Sequence, residues 1–131
     1  RGPVIAPHSN ARGACFHLRN LSDEMIRQLA ERGGVTGINF CPSFLREEEP
    51  AAKKASTMDM VRHMKYLRNV GGIDIIGLGT DFDGFSGETD VPDTAHMQHL
   101  ADVMSHEGFT DEEIEKVFSK NVLRVFRECW K

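Results

Sequence analysis

The sequence has no long hydrophobic run; its apolar stretches last only a few residues. A helix crossing a bilayer needs about 20 consecutive apolar residues, so no membrane segment is expected. No basic start leads into the roughly 7–15-residue apolar stretch of a signal peptide. A basic excess is missing too. Sixteen Lys and Arg against 20 Asp and Glu leave a net charge of −4, with no basic stripe, which argues against a nucleic-acid surface. Cysteine is sparse: Cys15, Cys41 and Cys129 form no Cys-x-x-Cys pair. They read as reduced thiols of a cytoplasmic protein rather than a disulfide framework. An initiator methionine is also absent, because Arg1-Gly2 runs straight into Pro3-Val4-Ile5-Ala6. That start is expected of a chain cut from something longer.

The 131 residues, 40% hydrophobic and 27% charged, suffice for one domain with a sizeable core, taken here as a single partial domain over 1–131. Short β-rich runs alternate with amphipathic helices. Pro3 to Pro7 reads as a buried strand, followed by a polar loop from His8 to Leu21. Ser22 is expected to cap a helix whose core face is Met25, Ile26, Leu29 and Ala30, ending at Gly33-Gly34. Val35 to Phe40 is the second strand, and Cys41 to Ser56 a long irregular segment, a lid or a solvated loop. Thr57 is expected to cap a helix burying Met60, Val61, Met64 and Leu67. Ile73 to Gly79 reads as the third strand, running into Thr80-Asp81-Phe82-Asp83-Gly84. Helices follow at Met97, Leu100, Ala101 and Met104, and after a capping box at Thr110 to Glu113. This order implies parallel strands joined by crossovers, and fits a doubly wound sheet or a barrel segment equally well.

In such folds the functional side chains sit at the carboxyl ends of the strands. Three groups occupy those positions: His8-Ser9-Asn10, Asn39-Phe40-Cys41 and Asp81-Phe82-Asp83. His8 suits a metal ligand or general base, and equally a hydrogen-bonded structural histidine. Asp81 and Asp83 share a face of an extended chain and suit a cation or proton transfer, although Asp and Gly also favour turns. Arg12 or Arg19 can hold a carboxylate in a two-pronged fork. Gly77-Leu78-Gly79 lacks the spacing of a dinucleotide fingerprint. His96 and His99, spaced for chelation, have no converging carboxylate or cysteine and read as surface residues.

Five stretches in series resemble the membrane dipeptidase (renal dipeptidase, peptidase M19) family. They are Pro3-Val4-Ile5-Ala6-Pro7-His8-Ser9-Asn10-Ala11-Arg12, His17-Leu18-Arg19-Asn20-Leu21-Ser22-Asp23, Gly33-Gly34-Val35 through Asn39-Phe40, Gly77-Leu78-Gly79-Thr80-Asp81-Phe82-Asp83-Gly84, and Asn121-Val122-Leu123-Arg124-Val125-Phe126. The resemblance implies an α/β fold, the C-terminal part (about three βα units) of a (β/α)8 TIM-type metallo-hydrolase barrel. It implies two zinc ions and metal-assisted hydrolysis of dipeptides. His8 corresponds to a zinc ligand, Arg19 to the arginine holding the substrate's carboxylate, and Asp81 to the aspartate that meets the amino end and moves a proton. Asp83 would support that strand end, and Phe44 falls near a pocket-lining aromatic position.

The family's remaining ligands, an early His-x-Asp, a bridging Glu and a second His, have no counterpart here. A complete barrel takes about 250 residues, so these strands would be the sixth to eighth. The chain alone is therefore expected to be inactive, and to associate with a missing N-terminal half or with a second copy. A non-catalytic scaffold descended from the same barrel, or another amidohydrolase-type metal-dependent hydrolase, are the alternative readings.

Overall fold

A computed structural model describes residues 3–47, 53–80, 88–91 and 93–130. Three parallel strands form the main sheet: β1 (Ile5–Ala6), β2 (Val35–Asn39) and β4 (Ile76–Thr80), in the order β1-β2-β4. All five residues of β2 are buried, as a strand covered on both faces requires. The connections carry α1 (Asp23–Glu31) and α3 (Thr57–Gly71), which pack on each other. Beyond them come α4 (Met97–His106), α5 (Asp111–Glu115) and α6 (Asn121–Cys129). The predicted alternation of strands and helices is present.

Local chemistry sets most element ends. The Ser22 hydroxyl accepts the Met25 N–H at 3.3 Å and starts α1. Gly33, at φ +67°, takes the left-handed conformation that ends it. Ile26 and Leu29 supply the buried face of α1, while Met25, expected inside, is 47% exposed. The cap of α3 is Ser56 rather than Thr57. Ser56 and Asp59 form a reciprocal capping box, and Thr57 is the first helical residue. Met60, Met64 and Leu67 on that helix are fully buried, each contributing roughly 1.5–3 kcal/mol of apolar burial. The capping box at Thr110 and Glu113 is present as read.

Two segments differ from expectation. The stretch after β2 has structure of its own: a helical turn α2 (Pro42–Leu45), with proline in its first turn, and β3 (Lys54–Ala55). The latter pairs in parallel with β5 (Glu88–Thr89) in a separate two-stranded ribbon. The third strand also starts later than the apolar run suggests. Gly72, at φ +91°, breaks the chain after α3, and Ile73–Ile75 forms a 3-10 turn before β4.

The final helical region holds the amino ends of the strands. A π turn at Lys116–Lys120 leads into α6 and packs on β4. Buried Asn121 then donates from Nδ2 to the Ile73 and Ile76 carbonyls, both at 2.8 Å. Arg124 donates to Gly33 O at 2.9 Å and Asp74 O at 2.8 Å. The polar residues of the Asn121 to Phe126 stretch thus satisfy backbone carbonyls at the end of the sheet away from His8. Among the described residues no helix is long and apolar enough to cross a membrane.

Candidate active site

At the carboxyl end of β1 the chain leaves the ladder for two residues and returns, Ser9 N–H donating to Gly37 O at 2.9 Å. The interruption is Pro7-His8. It lies across two glycines: a Cβ on Gly37 or on Gly79 would fall on the Pro7 carbonyl oxygen. Those two residues are small because the backbone carrying His8 occupies their side-chain space. This crossing also helps cover β2, all five residues of which are buried. His8 is half-buried, and among the described residues nothing hydrogen-bonds its imidazole.

The next residues bracket the strand ends. Asn10 Nδ2 donates to Asn39 O at 2.8 Å, while Asn39 N–H donates to Asn10 Oδ1 at 2.7 Å. Asn39 Oδ1 in turn accepts the Cys41 N–H at 2.8 Å. Of the strand-end groups singled out from sequence, these two asparagines are structural. They are fully buried and pair with each other's neighbourhood.

The loop from His8 to Leu21 is fastened to α2 through α3. Buried His63 accepts the Ala11 N–H on Nδ1 at 3.2 Å, so its proton sits on Nε2, 3.1 Å from Leu45 O. Burial pushes its pKa from 6.5 down to about 4, which keeps the ring neutral. Arg62 adds donations to Ala14 O and Leu45 O, both at 2.6 Å. Asn20 Nδ2 bridges Cys15 O and Phe44 O at 2.9 and 2.8 Å. The Cys15 thiol reaches Ser43 O at 3.6 Å, and burial raises its pKa. Cys15 and Cys41 are buried free thiols, and Cys129 is exposed. His63 is the main residue that sequence reasoning passed over.

Of the two arginine candidates, Arg12 is spent on the loop. Its guanidinium donates to Asn20 O and Leu18 O at 3.1 and 3.2 Å. Arg19 is different. It is exposed, and its guanidinium lies 5.4 Å from the centroid of the Phe44 ring. Among the described residues it has no carboxylate partner. The His17 ring meets Phe44 edge-on at 4.4 Å, and its Nδ1 accepts the Arg19 N–H at 3.1 Å. His8 and Arg19 therefore lie on the loop that follows β1, and Phe44 on α2, which follows β2.

Asp81 and Asp83 lie outside the described residues. Asp81 follows directly on Thr80, a β-branched residue held at φ +25°, a conformation that costs on the order of 1–3 kcal/mol and is concentrated at functional sites. His96 pairs with Asp93 at 2.7 Å on the surface, and His99 is exposed. Among the described residues no group of three or more His, Cys, Asp or Glu can hold a metal. The His8 imidazole, without a hydrogen bond among the described residues, has a ring nitrogen free to ligate a metal.

A parallel α/β sheet with an uncommitted histidine and an arginine on a ring, all on the loops at its strand ends, has the layout of a strand-end α/β enzyme. The particular family follows from comparison. Residues 1–130 match the family model described as membrane dipeptidase (peptidase family M19), and the chain belongs to that family. It is 34% identical over 127 residues to dipeptidase tcpJ of Claviceps purpurea, covering 96% of this chain and 29% of that protein. It is 35% identical over 128 residues to an uncharacterised protein in the pqqA 5' region of Klebsiella pneumoniae, covering 98% and 47% respectively. Among solved structures it superimposes with TM-score 0.91 and 29% identity on the dipeptidase AC metallo peptidase, covering 98% of this chain and 38% of that one. The same TM-score and identity, at 98% and 37% coverage, relate it to a Rhodobacter sphaeroides metallo peptidase liganded with a phosphinate mimic of the dipeptide L-Ala-D-Ala. The chain thus spans between 29% and 47% of the length of these relatives.

Proposed function

We propose that the protein containing this chain is a zinc-dependent dipeptidase, and that the chain forms the last three βα units of its (β/α)8 barrel. The observation that carries this reading is Arg19, on the loop that leaves His8, exposed and stacked on Phe44 without a carboxylate of its own among the described residues. A guanidinium left unpaired beside a ring is suited to a free carboxylate, which it can engage through two parallel N–H donors. The relative bound to a dipeptide mimic supports the choice of ligand.

In this reading His8 holds one of two zinc ions through an uncommitted ring nitrogen. Zinc, when bound, supplies Lewis-acid polarisation of a carbonyl and lowers the pKa of water toward neutrality. Arg19 fixes the substrate's C-terminal carboxylate, and Asp81 meets its amino end and passes a proton toward the leaving amine. This accounts for a dipeptide preference, since a longer substrate would place an uncharged peptide group where the guanidinium expects a charge. With one metal ligand, the 131-residue chain alone has negligible turnover. Its outer strand β1, with Val4 and Ile5 exposed at 41% and 38%, then serves to pair with the remainder of the barrel or with a second copy.

Dipeptide hydrolysis by the full-length protein tests the assignment. His8→Ala is expected to abolish turnover and to lower bound zinc, and Arg19→Ala to raise KM for free dipeptides by tenfold or more, roughly one charge-assisted bond. Undiminished hydrolysis by Arg19→Ala would remove the carboxylate role.

A further inference from the structure

We propose that His17 is the positioning residue of the Arg19 carboxylate clamp, an inference that rests on the dipeptidase reading above. The sequence places a histidine two residues before the arginine, and the structure shows what that spacing does. His17 to Asn20 form a turn in which His17 O accepts the Asn20 N–H at 2.9 Å. The His17 side chain closes a second ring inside it, Nδ1 accepting the Arg19 N–H at 3.1 Å. That is the bond an asparagine or aspartate makes to the backbone two residues on. The same imidazole packs edge-on against Phe44 at 4.4 Å, and the Arg19 guanidinium lies 5.4 Å from the same ring.

His17 is therefore joined to Arg19 twice, once through the backbone and once through a shared aromatic neighbour. The flanking residues are held at backbone atoms, Phe16 N–H by Glu47 Oε1 at 2.6 Å and Leu18 O by Arg12 at 3.2 Å, and not through their side chains. Phe16 and Leu18 are 68% and 80% exposed, so little packing holds this part of the loop. An arginine side chain left free must be ordered when its ligand arrives, and the immobilisation of one such side chain weakens binding by about three- to tenfold. A turn locked by His17 and a guanidinium resting on Phe44 pay most of that cost before substrate binds. His17 has no place in bond breaking. Its action is confined to the affinity for a free carboxylate.

The test uses the full-length, metal-loaded enzyme with a dipeptide and the same dipeptide as its C-terminal amide. His17→Ala is expected to raise KM for the free dipeptide about three- to tenfold with kcat little changed, and to leave kcat/KM for the amide as it was. His17→Asn, whose Oδ1 can accept the same N–H, should restore KM. His17→Phe, which keeps a ring against Phe44 and removes the acceptor, should not. Calorimetric titration with a phosphinate dipeptide mimic gives the same comparison without turnover, and the affinity should fall and recover in the same order. An unchanged KM and affinity in His17→Ala, or recovery by Phe and not by Asn, overturns the proposal. A wild-type enzyme that treats acid and amide alike overturns the Arg19 reading and this inference with it. An acid preference lost in Arg19→Ala but kept in His17→Ala overturns the His17 role alone.

Discussion

Acid should loosen this domain through a residue that takes no part in chemistry. His63 is buried in α3 with its two ring nitrogens committed, one accepting from Ala11 N–H and one donating to Leu45 O. Protonation would turn Nδ1 into a donor facing another donor, in a fully buried site. Burial is the leading reason that its pKa falls from 6.5 to about 4, with the neighbouring Arg62 cation adding to it; the Leu45 bond and Asp59 oppose it. The sign follows from which state binds the proton. Below about pH 6.5 the unfolded chain takes up a proton that the folded chain refuses, so stability is full above that pH and falls as pH drops toward 4. The whole displacement corresponds to about 3 kcal/mol. Between about pH 7 and pH 5, roughly 2 kcal/mol of it should be lost.

The assay is equilibrium denaturation of the protein carrying this chain at both pH values, for the wild type and for His63→Gln. The variant cannot titrate, so the wild type should lose about 2 kcal/mol more than the variant over that interval, while the variant is the less stable at neutral pH. The neutral-pH deficit should be about 1–3 kcal/mol, because the buried Ala11 N–H loses a well-placed acceptor. Nitrogen-detected NMR of the ring should show the Nε2–H tautomer at neutral pH. Parallel loss of stability in the two proteins, or a ring that titrates near its ordinary value, would refute the reasoning.

Two further substitutions separate the ends of the sheet. Gly79→Ala should cost about 1–3 kcal/mol by overpacking, since its Cβ lands on the Pro7 carbonyl, and should also reduce bound zinc by shifting the backbone of His8. Gly77→Ala, where the nearest atoms are the Val35 and Val122 methyls at 3.0 and 3.1 Å, should be milder and leave zinc content unchanged; denaturation midpoints and metal analysis check both. Asn121→Ala should lower stability by about 1–3 kcal/mol, because two buried carbonyls lose their donor. KM should stay the same, as those carbonyls lie at the opposite end of the strands.

What was legible in the sequence was what short-range chemistry decides. Ser22 and the Thr110–Glu113 box cap their helices through bonds spanning three residues, and the apolar spacing of α3 places its core face correctly. The misses have physical reasons. Ser56 and Thr57 are both good caps, and only the reciprocal bond with Asp59 chooses between them. The apolar run at Ile73 reads the same as a 3-10 turn or a strand until Gly72 breaks the chain. The short β3 depends on a partner in β5, far along the sequence. His63 is the clearest case, since its partners lie 52 and 18 residues away, and nothing near it in the chain announces them. For the site, His8 and Arg19 were reached by resemblance to a family. The signal for His17 was present in the same motif, two residues ahead of the arginine, but its meaning required the fold of the turn.

The way the site loops are fastened bears on how the candidate residues stay free to act. Most side-chain ties that hold the His8–Leu21 loop to its neighbours come from neutral groups, Asn10 with Asn39, His63 with Ala11 and Leu45, Asn20 with Cys15 and Phe44, while one carboxylate, Glu47, accepts the Phe16 N–H at 2.6 Å. Even Arg62, which has Asp59 at 3.6 Å, directs its loop contacts to carbonyl oxygens. A loop held by carboxylates at the His17–Asn20 turn as well would place negative charge beside Arg19, and an opposite charge within about 4–6 Å interacts strongly with a guanidinium. It would then compete with the substrate for the very group that recognises it. Neutral ties, worth about 0.5–1.5 kcal/mol each, give the loop its shape without spending that charge. The low pKa of His63 belongs to the same arrangement, because a protonated imidazole would break the tie to Ala11. On this argument, placing an aspartate at Leu18, which is 80% exposed and adjacent to Arg19, should damage substrate affinity more than it damages stability, and the ratio of the two losses measures how far Arg19 depends on staying unpaired.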